Sequence, residues 1–347
     1  MNFRFFKGRR FLWPMPHLQS FYQSKTMEKL KQLIAAEQPA INDTLRLMTD
    51  ELPPMSRPVA RHIFMAGGKR VRPLLTLFFG RLNGCKTDEV YRVGCAVEML
   101  HAATLLHDDI LDNASLRRGK PTAHTRFNSG LVIMAGDAML AKAVHAVSAY
   151  NDPRLTATLA QAVLETAEGQ IAECANIRNV SLSYEDYEAI IRGKTAWLLR
   201  TSCEMGAIFA KADDAGITAA GVFGEELGMA FQLVDDAIDF SPASVTGKPS
   251  GGDLAEGKMT PPIYFYLNSL EGEEREKFYE SFVTNTFTKE ELASHSERIG
   301  QSEGIAKTRA LAEGHIAKAL SALEFMPPSD EKTLLTTMAN YIIARAH

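Results

Sequence analysis

The chain has 347 residues, 46 % of them apolar and 23 % charged, with a formal net charge of −4. This composition excludes wholesale disorder and gives no reason to expect nucleic acid as a partner; its uninterrupted apolar runs fall well short of the ~20 residues a membrane-spanning helix needs. The four cysteines, Cys85, Cys95, Cys174 and Cys203, show no CxxC spacing, which argues against a disulfide framework or thiolate-bound metal and for a reducing, cytoplasmic setting.

Residues 1–26 carry Arg4, Lys7, Arg9, Arg10 and Lys25, no acid, and many aromatics. Three readings stand open for this basic extension: a disordered segment or residues upstream of a start at Met27, an organelle presequence (mitochondrial in a eukaryote), or a segment resting on anionic lipid. From 27 to 347 a single domain is expected. Residues 28–50 read as an amphipathic helix, with Leu30, Leu33, Ile34, Ile41, Leu45 and Leu47 on or near one side. Pro53, Pro54 and Pro58 then interrupt the chain. The periodicity predicts further helices near 58–66, 69–83, 87–112, 129–150, 153–177, 184–210 and 214–240. A loop rich in Gly, Pro and Ser follows at 241–257, and shorter helices lie near 260–270, 272–283, 288–299, 303–325 and 330–346. Strand alternation, βαβ units, linkers and repeats are absent, so the fold expected is all-α, one large bundle of ten or more helices.

Two acidic clusters stand out: Leu105-Leu106-His107-Asp108-Asp109-Ile110-Leu111-Asp112 and Phe231-Gln232-Leu233-Val234-Asp235-Asp236-Ala237-Ile238-Asp239-Phe240. Each is a DDxxD inside aliphatic sequence. On a helix, i and i+4 share a face, which pairs Asp108 with Asp112 and Asp235 with Asp239. Three like charges within five residues weaken a helix unless a cation binds. A solvated acidic helix end is the plain reading of one such cluster; two copies on apolar helices point instead to Mg²⁺, which takes one or two carboxylates per ion and fills its shell with water and phosphate oxygens. Metal ions joining protein to a diphosphate are the expectation.

A matching set of cations accompanies the acids. Gly67-Gly68-Lys69-Arg70-Val71-Arg72-Pro73 precedes the first cluster and Arg117-Arg118-Gly119-Lys120-Pro121-Thr122 follows it; Gly193-Lys194-Thr195 stands on a later helix, and Gly247-Lys248 and Lys258 flank the Gly-rich loop. Arginine forks bind phosphate oxygens in pairs and lysine acts as a point charge. His101, two turns before Asp108, offers a donor to a phosphate or bonds a backbone carbonyl in the core, and Gln232 shares a face with Asp235.

In the order GGKRVRP, LLHDDILD, LRRGKPT, GKT, FQLVDDAIDF and GKPSGGDLAEGK, these segments resemble the long-chain trans-polyprenyl diphosphate synthases of the isoprenyl diphosphate synthase family, from about residue 30 to the C-terminus. The resemblance implies a helical bundle around a central cavity. It also implies a Mg²⁺-dependent prenyltransferase that joins isopentenyl diphosphate to an ionised allylic diphosphate. It places the metal on Asp108, Asp112 and Asp235, supported by Asp109, Asp236 and Asp239. Arg117, Lys194, Thr195, Gln232, Lys248 and Lys258 would hold the allylic diphosphate, and Lys69, Arg72, His101 and Arg118 isopentenyl diphosphate. A homodimer, quinone side chains as the destination of the product, and passing membrane contact through that greasy product are also implied. Two departures bear on the third metal: related sequences often have GDDL where this chain has Gly251-Gly252-Asp253, and often a proline where Met259 stands.

Product length is read from the residues one turn above Asp108, Ala103 and Thr104, where the resemblance implies that bulky aromatics give short products. Ala103 is small, and Met99, Leu100, Val97 and Ala96 continue without an aromatic, so the expectation is hexaprenyl to decaprenyl, octaprenyl first. Three rivals remain: a terpene cyclase, for which a second diphosphate site is superfluous; a metal phosphohydrolase built on His107-Asp108, which lacks further placed histidines; and a non-enzymatic subunit, which should lack intact acidic clusters.

Overall fold

The computed structural model describes residues 25–242 and 250–344. Helices start where the sequence supplies caps. Asn128, Asp152, Ser183, Asp213 and Ser302 each accept a backbone N–H of the following turn, and Thr288 with Glu291 forms a capping box. Each satisfies an amide that the first turn leaves unpaired, at about 1 kcal/mol apiece. In chain order the elements are α1 (Lys25–Asp50), α2 (Arg57–Met65), α3 (Val71–Leu82), α4 (Glu89–Leu111), β1 (Leu116–Arg117), β2 (Lys120–Pro121), α5 (Ala123–Arg126), α6 (Ser129–Ser148) and α7 (Pro153–Ala175). Then come α8 (Tyr184–Ile191), a π-helical turn (Arg192–Ala196), α9 (Trp197–Phe209), α10 (Asp214–Asp239), α11 (Gly252–Glu256), α12 (Pro261–Leu267), α13 (Gly272–Thr284), α14 (Lys289–Gln301), α15 (Glu303–Ala322) and α16 (Asp330–Ala344). The chain is all-α, as its periodicity predicts.

Two helices form the spine. In α4 every residue from Val93 to Leu100 is buried, and α10 buries Phe223, Leu227, Met229, Leu233 and Val234. A helix apolar on most sides belongs at the centre of a bundle. α9 packs against both, α3 and α6 cover α4, and α15 covers α10. The acidic clusters sit at the C-terminal ends of these two central helices.

The structure corrects the sequence reading in five places; one is the segment 241–257, read as a loop, which holds the short helix α11 (Gly252–Glu256). Where no strand is foreseen, β1 and β2 pair antiparallel, Leu116 opposite Pro121 and Arg117 opposite Lys120. Arg118 and Gly119 between them have φ of 53° and 73°, the left-handed pair that a two-residue hairpin turn requires; strands of two residues leave no alternation to read. Residues 184–210, read as one helix, are α8 and α9 joined by the π turn. Residues 69–83 start late: Gly67, Gly68 and Arg70 take φ of 87°, 157° and 52°, so α3 begins at Val71 and leaves Lys69 and Arg70 in a loop. Lastly, α6 is long and apolar enough, by length and composition alone, to cross a membrane, with a mean hydropathy of 1.5. Its Val132, Ala135, Gly136 and Met139 are buried and the helix packs on α4, while Ile133 and Met134 stay exposed.

Candidate active site

Folding brings the separate motifs to one place. A cleft of about 980 Å³ is fronted by Asp108 from α4 and Asp235 from α10, by Lys69, Arg72, His101, Arg117 and Arg118 on one side, and by Lys194, Thr195 and Gln232 on another. Apolar side chains line much of the rest, Leu105 and Leu111, Leu140 of α6, Val163 and Ile171 of α7, and Phe231, with Thr104, Thr166 and Gln170 among them. Beside it lies a smaller pocket of about 120 Å³ with Glu173, Tyr187, Asp236, Asp253 and Lys258; Lys194, Thr195 and Gln232 form the partition and line both.

The three acids of each cluster do different things. Asp108 and Asp235 front the cleft. Burial pushes the Asp108 carboxyl up to about 6, with Lys194 opposing and Asp112 adding to the rise. Asp109, 1 % exposed, accepts from Arg117 Nε at 2.8 Å and pairs with Nη2 at 2.7 Å. Asp112 is exposed at the C-cap of α4, outside the cleft wall, because the helix ends at Leu111. In the second cluster Asp236 accepts from Tyr187 Oη at 2.5 Å and Gln232 Nε2 at 2.8 Å. Burial lifts it to about 7, against the pull of those two hydrogen bonds and with Asp235 and Asp239 adding to the lift. Asp239 accepts the Asp253 N–H at 3.0 Å and its carbonyl accepts the Gly251 N–H at 2.9 Å, which ties the end of α10 to the start of α11. A Cβ on Gly252 would stand 3.1 Å from Asp239 Oδ1, so any side chain at this position would start against that carboxylate. Burial, with Asp236 and Asp239 nearby, drives Asp253 well above the ordinary carboxylate range.

The cations are held ready. Arg70 pairs with Glu98 at 3.0 Å, both buried, and the second Glu98 oxygen has no partner. Arg72 is half-buried with its Nε shielded and unpartnered, and desolvation lowers its pKa despite Glu98. Arg118 donates to the Gly67 carbonyl. His101 is held well below 6.5 by burial and then by Arg72, Arg118, Arg117 and Arg70; its neutral ring keeps one N–H to offer. Lys69 lies over the Tyr341 ring, 5.7 Å from its centroid. The cluster thus gathers far more positive charge than its one acid, Glu98, balances, which suits a diphosphate.

The π turn explains why Lys194 and Thr195 both reach the partition. A Cβ on Gly193 would meet the Glu165 carbonyl oxygen at 2.7 Å and Gly169 Cα at 2.9 Å, so glycine alone lets the turn press against α7. Lys194 then pairs with Glu173 of α7, while Thr195 Oγ1 donates to Gln232 Oε1 at 2.9 Å. Lys258 pairs with Glu256 at 2.6 Å and lines the smaller pocket, not the cleft. Lys248 lies outside the described residues. Ala103 is fully buried in the core and absent from the cleft wall, because side chains one residue apart on a helix point about 100° apart; Thr104 is the residue that fronts the cleft.

Sequence reasoning missed Glu98, Glu173 and Tyr187. Glu98 had a signal, an acid inside the apolar run from Val93 to Leu106. Glu173 and Tyr187 had none, since their partners lie 21 and 49 residues away.

Among the described residues no group of three or more His, Cys, Asp or Glu closes on one point. Two carboxylates from separate helices, facing one cleft beside phosphate-binding cations, fit Mg²⁺, which draws its other ligands from water and phosphate.

Residues 53–298 match the family model described as polyprenyl synthetase. The chain is 32 % identical to heptaprenyl diphosphate synthase component 2 of Bacillus subtilis over 310 residues, covering 87 % of this chain and 88 % of that protein. Its fold is similar to a decaprenyl diphosphate synthase from Rhodobacter capsulatus, with TM-score 0.85, 30 % identity, and 92 % and 99 % of the two chains covered. It is also similar to a polyprenyl synthase from Caulobacter crescentus solved with calcium and isoprenyl diphosphate, with TM-score 0.84, 33 % identity, and 92 % and 98 % covered. With the acids, the cations and the cleft between them already assembled, the match over most of the length decides the matter: this chain belongs to the polyprenyl synthetase family of prenyl-transferring enzymes.

Proposed function

We propose that the enzyme adds successive isopentenyl diphosphate units to an allylic diphosphate and releases an all-trans product of hexaprenyl to decaprenyl length, with octaprenyl as the central value. The observation that carries this reading is the single cleft in which Asp108 and Asp235 meet two separate sets of cations. One diphosphate binds toward Lys194 and Gln232 beside the aspartates, the other toward Lys69, Arg72, His101 and Arg118. Two sites favour elongation over cyclisation, which uses one substrate.

Asp108 and Asp235 are the residues that would hold Mg²⁺. Bound there, the ion supplies neutralisation of the charge that builds on the departing diphosphate. Lys194 and Arg117 add fixed positive charge at the same place. The apolar wall of Leu105, Leu140, Val163 and Phe231 excludes water, which would otherwise quench the allylic cation. The isopentenyl double bond attacks the allylic cation and the proton lost at the end of each round goes to the departing diphosphate, so neither a protein nucleophile nor a protein base is needed. Thr104, which fronts the cleft near Asp108 and carries no aromatic ring, supports a long product, and quinone side chains are the use that suits one.

A homodimer is the assembly we infer, supported by α6, whose apolar composition exceeds what its own chain buries. Four free cysteines support a cytoplasmic location, and contact with membranes would come through the lipid product. The test is mass spectrometry of products formed with geranyl or farnesyl diphosphate, isopentenyl diphosphate and Mg²⁺. Elongated polyprenyl diphosphates support the proposal; a cyclised hydrocarbon or released phosphate alone refutes it. Thr104→Phe should shorten the product by several units and Ala103→Phe by fewer, because of the two only Thr104 fronts the cleft; greater shortening by Ala103→Phe would reverse that assignment.

A further inference from the structure

Behind the partition between the cleft and the smaller pocket runs an unbroken relay of four side chains. Tyr187 Oη donates to Asp236 Oδ2 at 2.5 Å, Gln232 Nε2 donates to Asp236 Oδ1 at 2.8 Å, and Thr195 Oγ1 donates to Gln232 Oε1 at 2.9 Å. The relay joins α8, α10 and the π turn. Tyr187 itself is 6 % exposed and lines only the smaller pocket.

Hydrogen-bond chemistry gives the relay a direction. Asp236 has a donor on each oxygen, so the Gln232 amide must turn its NH₂ group toward the carboxylate. That orientation leaves the Gln232 carbonyl facing Thr195, and a carbonyl can only accept. The hydroxyl proton of Thr195 is therefore committed, and its oxygen turns lone pairs, not a proton, toward the cleft. A carboxylate that has lost its Tyr187 donor is free to turn about its own torsion, and the Gln232 amide and the Thr195 hydroxyl that it orients lose their fixed placement with it.

We propose that Tyr187 is a positioning residue for prenyl transfer, acting through Asp236 and Gln232 to fix which way the Thr195 hydroxyl points. The proposal rests on the function given above. It assigns Asp236 to holding this relay, since both its oxygens are engaged inside the protein.

A double-mutant cycle tests it. Tyr187→Phe removes one hydroxyl and keeps the ring. In the otherwise native enzyme it should lower kcat about tenfold, with the KM of both diphosphates unchanged within about twofold. In a Thr195→Val background, where there is no hydroxyl to orient, the same change should alter kcat less than about twofold. Asp236→Asn, which replaces an acceptor by a donor, should show the same dependence on Thr195 and serves if Tyr187→Phe folds poorly. An equal fall in both backgrounds would mean that Tyr187 acts through general packing and would overturn the proposal, as would no fall in the native background. A wild-type enzyme that elongates no primer would overturn the functional reading, and this inference with it.

Discussion

The two DDxxD clusters share a pattern but not an environment. In both, the first acid fronts the cleft and the second turns into the protein. At the end of α4 the second acid, Asp109, is held by a full positive charge, Arg117, which arrives on the β1–β2 hairpin. At the end of α10 the second acid, Asp236, is held by neutral donors, Tyr187 and Gln232. The third acids diverge further: Asp112 is exposed at a helix end, whereas Asp239 ties α10 to α11. A five-residue pattern therefore says where carboxylates are and not what each one does. The partner that folding delivers decides that.

The largest effect should come from the acids that the clusters have in common. Asp108→Ala and Asp235→Ala are each expected to lower kcat/KM at least about a thousandfold, the scale of losing an electrostatic group at the reacting centre. Retention of near-native turnover by either variant would remove its assignment and with it the likeness between the clusters. Next comes the contrast in how the middle acids are held. Arg117→Ala strands Asp109, which is 1 % exposed, and should cost about 3 kcal/mol of stability. Tyr187→Phe removes one of two neutral donors and should cost about 1 kcal/mol. Urea unfolding of the two variants measures the difference, and equal losses would mean that a charged and a neutral partner are interchangeable here.

The smallest effect concerns how α8, which carries Tyr187, is kept in place. His315 of α15 lies 2.5 Å from Glu226 of α10 and 3.6 Å from Glu188 of α8. Burial works against its charge, but hydrogen bonds to Glu188 and Glu226 outweigh that and hold its pKa above 6.5. A histidine with a raised pKa contributes stability that is fully present below about pH 6.5 and is lost as pH climbs through the folded-state value. His315→Gln should therefore destabilise by about 1 kcal/mol at pH 6 and by clearly less at pH 9, in denaturant melts at the two pH values. A loss that stays constant with pH would show that the ring acts by packing alone and would detach α8 from any charge-dependent support.

Helix-period patterning and proline breaks made the all-α bundle legible, because a helix satisfies its backbone within its own segment and buries a face set by local spacing. The site was legible in kind for a related reason. Aspartates inside aliphatic helices and arginines beside glycines are anomalous where they stand, and their chemistry limits what they can bind. The hairpin and the π turn were not legible: one is too short to show a period, and the other depends on Gly193 meeting Gly169, two residues on different helices. Ala103 shows the same limit, since a neighbour one position along the helix faces the cleft in its place.

What the sequence determined by itself was the class of fold and the kinds of groups at the site, which follow from side-chain chemistry and near-neighbour periodicity. Tertiary structure alone decided the division of labour: Asp108 at the cleft and Asp109 on Arg117, Asp235 at the cleft and Asp236 on Tyr187. Hydrogen bonds and ion pairs act over a few ångströms in space, and the partners concerned are brought that close only when separate helices pack.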